Sequence, residues 1–225
     1  ERAERVALRD RVRSFGVRFF DLALGGVFPT DVVLVIGESG RGKTEVARII
    51  AQRNASDGMR VHQFVLEGDK REMERRMKYP LLVRRVLDEV GGWRHYSRLN
   101  YLDWSVGRID DVTGRFESEV DEEIATRYSG LHTVYPDDDF TIDHFDRAVR
   151  ALAGDTDMVL LDHFHFLDFG DNENRGAKAA IKRIRRLNQD TGIPIVVLAH
   201  LRKADRAHSR LLPAGDDIHG SSDVL

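Results

Sequence analysis

The chain has 225 residues, a net charge of −3 and no cysteine. Its length suits one α/β domain. The lack of cysteine excludes disulfides and thiolate metal sites, and it agrees with a cytoplasmic location. No apolar run approaches the roughly 18 residues that predict a membrane span, and the net charge excludes a protein that coats nucleic acid with a wholly basic surface.

The predicted organisation is a charged arm or helix followed by one folded domain. Residues 1–14 alternate arginine with acidic and apolar residues and form the arm, and residues 15–225 form the domain. Within it, Val32–Ile36 is an unbroken apolar run, which predicts a strand buried on both faces. The next residues, GESGRGKT at 37–44, fit the pattern G-x-x-x-x-G-K-[ST] and are followed by a helical pattern.

This glycine-rich loop predicts a site for the phosphates of a nucleoside triphosphate such as ATP, with Mg²⁺. Glycines allow the backbone to turn its N–H groups toward phosphate oxygens, and the helix N-terminus adds partial positive charge. Lys43 is placed to reach the outer phosphates, and the Thr44 hydroxyl is placed to hold Mg²⁺. The predicted loop residues are Gly37, Glu38, Ser39, Gly40, Arg41, Gly42, Lys43 and Thr44. The alternative is a glycine-rich turn without a ligand.

The rest of the chain alternates strand and helix patterns. Further strands are predicted at 60–67, 131–135, 157–161 and 193–201, and helices at 70–79, 142–153 and 177–190. Residues 80–130 are mostly helical in pattern and carry an aromatic cluster that is either core or a partner surface. The alternation predicts an α/β fold with a mainly parallel central sheet and helices on both faces, with ligands at the carboxyl ends of the strands.

Three predicted strands end in polar residues that suit hydrolysis. Glu67 is placed to orient or deprotonate an attacking water, and Asp162 to hold Mg²⁺ through a water molecule. His200 is placed to contact the γ-phosphate and respond to its loss. We therefore predict Glu67, Lys43 and His200 as catalytic residues. The alternative for each strand-end residue is a polar side chain that faces solvent.

A rival site is the pair formed by His163 and His165. Residues two apart on a strand share a face, and an H-x-H pair can ligate zinc. The sequence offers no evident third and fourth ligand, so packed or exposed histidines are the favoured interpretation.

Two basic regions are candidates for contact with nucleic acid. The basic stripe on the predicted helix 177–190 is typical of a solvated face. The long polar segment after the last strand carries Arg202, Lys203, Arg206 and Arg210, which are placed to meet phosphates. Acidic residues in that segment dilute its charge, so charge alone does not decide between the two interpretations.

Taken together, these motifs resemble the RecA-like ATPase domain of replicative hexameric helicases: the DnaB type, the phage primase-helicase and Twinkle type, and the RepA-like ATPases. The resemblance runs from about residue 15 to the end. The segments that carry it are FFDLALGGVFPTD before the first strand, VHQFVLEGDKREMERRM with the catalytic glutamate at Glu67, TDMVLLDHFHFL with the Walker B aspartate at Asp162, IPIVVLAHLRK with the sensor at His200, and HGSS near the end.

The resemblance implies a RecA-like P-loop NTPase that hydrolyses ATP, assembles as a ring that is usually a hexamer, and acts in DNA replication. It also implies that residues 168–175 and 202–219 face the channel of the ring and grip single-stranded DNA, so that only this lining needs to be basic. In the family, a strand after the Gly-Ser stretch carries an arginine finger. The sequence ends before that strand, and we expect the finger to be absent or to lie in sequence that is not shown.

Other functions remain open at this point. One is a switch or assembly regulator of the KaiC-like branch of RecA-type ATPases, which would not move along DNA. A small-molecule kinase shares the phosphate loop, but Glu67 and His200 favour water as the acceptor. A scaffold that binds nucleotide without hydrolysing it has no need of Lys43, Thr44, Glu67 and Asp162 together.

Overall fold

A computed structural model describes residues 8–92, 99–137, 139–167 and 173–200. Its helices are α1 Arg18–Leu24, α2 Lys43–Ser56, α3 Lys70–Val90, α4 Tyr101–Ser105, α5 Asp111–Arg127, α6 Ile142–Ala151 and α7 Glu173–Thr191. Its strands are β1 Val32–Gly37, β2 Val61–Val65, β3 Leu131–Val134, β4 Met158–Asp162 and β5 Ile195–His200, with a 3-10 turn at Phe164–Phe166. The chain divides into two compact units, residues 1–67 with 130–225, and residues 68–129.

The larger unit is built on a parallel sheet, as predicted. Among the described residues, five strands pair in the order β1-β5-β4-β2-β3, and every pairing is parallel. The register places Gly37 beside His200 and Val65 beside Asp162. The phosphate loop, the end of β4 and the end of β5 therefore meet at one edge of the sheet.

Helices cover both faces of this sheet, which confirms the predicted α/β architecture. On one face, Val159, Leu161 and Val197 pack with buried residues of α6 and α7 such as Phe145 and Ile184. Because side chains alternate along a strand, the residues between them point to the opposite face. There α2 contacts β2, β4 and β5. The core thus fixes both the loop before α2 and the strand ends that face it.

The helix α6 begins as its sequence predicts. The Thr141 side chain accepts a hydrogen bond from the His144 N–H at 3.3 Å, and His144 Nδ1 accepts one from the Thr141 N–H at 3.3 Å, so the two form a capping box. Most other boundaries differ from prediction by one or two residues. The larger differences are that α7 starts at Glu173 rather than 177 and that α3 continues to Val90 rather than ending at 79, while β2 ends at Val65 rather than 67.

The smaller unit, residues 68–129, is helical and contains α3, α4 and α5. α3 runs through Pro80, although proline lacks the N–H that a helix interior uses. Leu82 and Val86, one turn apart and fully buried, pack with Trp104 and Val120. This apolar burial offsets the lost hydrogen bond and extends the helix. It also places Trp104 in a core; the other tryptophan of the predicted aromatic cluster lies outside the described residues.

No helix among the described residues is long and apolar enough to cross a membrane.

Candidate nucleotide site

The loop between β1 and α2 has the backbone geometry that its glycines predict. Gly40 and Gly42 adopt φ values of 74° and 83°, in the left-handed region that L side chains rarely adopt. Gly42 is the N-cap of α2, and no side chain caps this end of the helix. The first N–H groups of α2 therefore point into the loop, as an anion site requires. Glu38, Ser39 and Arg41 are exposed along the same loop.

Lys43 lies folded over its own loop. Its Nζ atom donates hydrogen bonds to the carbonyl oxygens of Gly37 at 2.9 Å and Glu38 at 2.8 Å, and lies 3.2 Å from Nδ1 of His200. Burial lowers the pKa of Lys43, and the negative charges of Glu67 and Asp162 partly oppose this shift. These contacts tie the phosphate loop directly to the end of β5.

Thr44 and Asp162 supply the oxygen ligands that Mg²⁺ prefers. Thr44 Oγ1 lies 3.5 Å from Asp162 Oδ1, and the Asp162 side chain is 0% exposed. A hydroxyl and a carboxylate are hard donors of the kind found with nucleotide-bound Mg²⁺. With the glycine turn beside them, these residues fit a Mg²⁺–nucleotide site.

Glu67 stands at the same edge, two residues beyond the end of β2. Its Oε2 atom lies 3.3 Å from His163 Nε2 and 3.7 Å from His200 Nε2. The rings of His163 and His200 stack with centroids 4.2 Å apart and planes 7° apart. The structure therefore brings Lys43, Asp162, Glu67 and His200 together, as the sequence predicts for a hydrolysis site.

The sequence of residues 21–206 matches the AAA domain family. The chain belongs to the AAA domain family. A search of curated proteins returned no match.

This AAA domain is similar in structure to the ATPase domain of G40P, with a TM-score of 0.74 at 15% identity, covering 93% of this chain and 71% of that one. It is also similar to a DnaB-like replicative helicase solved in a study of its interactions with primase, with a TM-score of 0.72 at 16% identity, covering 92% of this chain. The chain spans about half, 48%, of that helicase chain. These likenesses confirm the predicted RecA-like P-loop fold.

His163 lies in this site, although the sequence suggested it only as half of a possible zinc pair with His165. It is 3% exposed, and its Nε2 atom lies 3.5 Å from Asp162 Oδ1 as well as near Glu67. Burial, reinforced by His200, Lys43 and His165, lowers the pKa of His163 to about 3, so the ring is neutral. The available signal was its position directly after Asp162 at the carboxyl end of a buried strand.

The disfavoured rival, a zinc pair of His163 and His165, does not match the arrangement of these two side chains. His165 Nδ1 accepts a hydrogen bond from the backbone N–H of His200 at 3.2 Å, and it holds the end of β5. Among the described residues, the potential metal ligands that cluster are Glu67, His163 and His200.

The predicted DNA contacts of this AAA domain lie outside the described residues. These are Arg202, Lys203, Arg206 and Arg210, within the predicted channel segment 202–219. The other predicted channel segment, 168–175, is described only from Glu173, where α7 begins.

Proposed function

We propose that this AAA domain is an ATP-hydrolysing motor that couples hydrolysis to binding or translocation along single-stranded DNA. The observation that carries the proposal is the convergence of Lys43, Asp162, Glu67 and His200 at one edge of the sheet, beside a glycine turn. A phosphate loop alone serves many reactions. A carboxylate after β2 and a histidine at the end of β5, on the same edge of the sheet as the loop, favour water as the phosphoryl acceptor.

Nucleotide binding is assigned to the loop and the N-terminus of α2. The backbone N–H groups of residues 37–44 surround the phosphates, and Lys43 turns from the carbonyls of Gly37 and Glu38 toward the outer phosphate oxygens. Thr44, through its hydroxyl, and Asp162, through a water molecule, would hold Mg²⁺ beside this loop. When bound, Mg²⁺ neutralises charge that develops on the phosphate oxygens.

Hydrolysis is assigned to Glu67. Its side chain is 43% exposed, so water reaches it, while His163 Nε2 at 3.3 Å orients the carboxylate. From this position Glu67 orients the attacking water and accepts its proton. The carboxylate is held at the sheet edge where the register places the loop and the strand ends, so the reacting groups need no large rearrangement.

Coupling is assigned to His200. It is the last residue of β5, its Nδ1 atom contacts Lys43, and Arg202 follows two residues later in the chain. When Lys43 turns toward phosphate, His200 exchanges this contact for one with the γ-phosphate. The contacts of the end of β5 then differ between the nucleotide-free and the ATP-bound states. This difference is passed to the basic segment that follows β5 in sequence.

The DNA and assembly parts of the proposal rest on sequence and on likeness. One of the similar structures is a DnaB-like replicative helicase. By analogy, we propose a homo-oligomeric ring, a hexamer, in DNA replication, with Arg202, Lys203, Arg206 and Arg210 meeting the phosphates of single-stranded DNA. The alternative is a KaiC-like switch or assembly regulator that hydrolyses ATP without moving along DNA.

One experiment separates the two. ATP hydrolysis by the full-length protein is measured with and without single-stranded DNA, at low and high salt. A motor predicts stimulation by DNA that fades as salt rises, because Lys and Arg contacts to phosphate release counterions. If the rate of hydrolysis is the same with and without DNA at both salt concentrations, the result supports the switch and overturns the motor.

A further inference from the structure

Three side chains at the sheet edge carry ligand atoms that face one another. Glu67 follows β2, His163 follows β4 and His200 ends β5, and one ligand atom from each lies within 4.8 Å of the other two. Glu67 Oε2 is 3.3 Å from His163 Nε2 and 3.7 Å from His200 Nε2. Around tetrahedral zinc, with bonds of about 2.0–2.1 Å, neighbouring ligand atoms lie roughly 3.3–3.4 Å apart.

We infer that Glu67, His163 and His200 form a binding site for a borderline divalent cation of the Zn²⁺ type, distinct from the Mg²⁺ site of Thr44 and Asp162. Two imidazoles and one carboxylate are a ligand set that suits Zn²⁺ and its transition-metal neighbours, with an open fourth position for water. Mg²⁺ prefers oxygen ligands, so the two sites select different ions by donor type.

The backbone holds the ligands of this site in place. Parallel pairing fixes Asp162 beside Val65 and His200 beside Gly37, and His165 accepts the N–H of His200. His163 is almost fully buried, so its ring has little room to move.

Binding requires adjustments at His163, His200 and Lys43. Nε2 of His163 faces the carboxylates of Glu67 and Asp162, so the proton of its neutral ring must sit on Nδ1 before Nε2 ligates the ion. The ring of His200 is parallel to that of His163, so the lone pairs of the two rings run side by side until the His200 ring, 23% exposed, turns toward the ion. Lys43 Nζ lies 3.2 Å from His200 Nδ1, and its ammonium repels a second cation. Removal of the Lys43 charge must therefore strengthen metal binding, an effect that adventitious surface sites do not share.

Metal in this site blocks hydrolysis. A Glu67 carboxylate bound to Zn²⁺ cannot accept a proton from water, so the occupied site and turnover exclude each other. This consequence rests on the proposed catalytic role of Glu67. The binding itself does not, because it follows from ligand geometry alone.

The test measures Zn²⁺ binding to the nucleotide-free full-length chain by competition with a chromogenic chelator, and Co²⁺ binding by its visible spectrum. Glu67→Gln and His200→Ala, at the more exposed ligands, should each weaken Zn²⁺ binding by about tenfold or more. His163→Ala should do the same, and Lys43→Ala should tighten binding. His132→Ala, an exposed histidine on β3, is the matched control and should bind as wild type.

Equal binding by wild type and the ligand variants overturns the inference, as does weaker binding by Lys43→Ala. The second measurement is hydrolysis at fixed Mg²⁺–ATP with rising free Zn²⁺, where loss of activity is expected in wild type and in His132→Ala alike. Site-specific binding without any hydrolysis supports the metal site and overturns the proposed function. Hydrolysis without site-specific binding overturns the metal site and leaves the proposed function standing.

Discussion

Lys43 Nζ and His200 Nδ1 lie 3.2 Å apart although 157 residues separate them in the chain. The parallel pairing of β1 with β5 creates this contact by placing Gly37, the last residue of β1, beside His200. The lysine that we propose binds phosphate and the histidine at the end of the adjacent strand are thus already in contact. Any movement of Lys43 toward phosphate changes the surroundings of His200.

Lys43→Ala should weaken ATP binding by about tenfold to a hundredfold, because hydrogen bonds to a charged group contribute roughly 1.5–3 kcal/mol. The measurement is titration with a fluorescent ATP analogue. Lys70→Ala, an exposed lysine at the start of α3, is the control and should bind as wild type. Equal affinity in Lys43→Ala and wild type would remove Lys43 from phosphate binding.

Glu67→Gln should lower kcat by about 10²–10⁴-fold while ATP stays bound, because the amide keeps the shape of the carboxylate but cannot accept a proton. Single-turnover hydrolysis and nucleotide retention on a filter measure the two effects. The control is Glu119→Gln, an exposed glutamate on α5. Unchanged turnover in Glu67→Gln would show that another group activates the water.

The phosphate loop was predictable residue by residue because its chemistry fixes both residue types and spacing. The placement of Asp162 and His200 beside this loop was predictable from their positions at the ends of apolar runs. His163 was not, since alternation along a strand puts adjacent side chains on opposite faces. β4 ends at Asp162 and the chain enters the turn at Phe164–Phe166, so alternation stops there and His163 joins the site.

The length of α3 was not predictable from the sequence, for a different reason. Local sequence favours a helix end before Pro80, and only contacts made far along the chain override it. Leu82 and Val86 pack with Trp104 and Val120 within the smaller unit. The burial of these side chains outweighs one missing hydrogen bond. Such pairings depend on tertiary structure and have no signature within the helix itself.

Lys203→Ala combined with Arg206→Ala should weaken single-stranded DNA binding and spare nucleotide affinity. Log affinity falls with log salt, and loss of two phosphate contacts should make this slope less steep by about 1.4, at roughly 0.7 per contact for single strands. Fluorescence anisotropy at several salt concentrations measures both quantities. The charge-matched control is Lys182→Ala with Arg186→Ala, two exposed residues of α7. Equal loss in both double variants would assign DNA binding to overall charge rather than to the segment after β5.

Stability of the fold should fall below about pH 6.5 through His62. Its Nδ1 atom lies 2.9 Å from Thr156 Oγ1, and its ring stacks on His132 with centroids 4.7 Å apart. Burial, then His132 and Arg60, lower the pKa of His62, and Asp155 opposes them. A lowered folded-state pKa means that the unfolded chain takes up a proton first, so stability is full above about pH 6.5 and falls as pH drops toward the folded-state value.

Urea unfolding of wild type and His62→Gln at pH 8 and pH 5.5 tests this linkage. At pH 8 the difference in the free energy of unfolding between the two proteins reports only the change in packing and in the Thr156 contact. At pH 5.5 wild type should lose more stability than His62→Gln, because glutamine takes up no proton. Parallel losses in the two proteins would assign the acid sensitivity to groups other than His62.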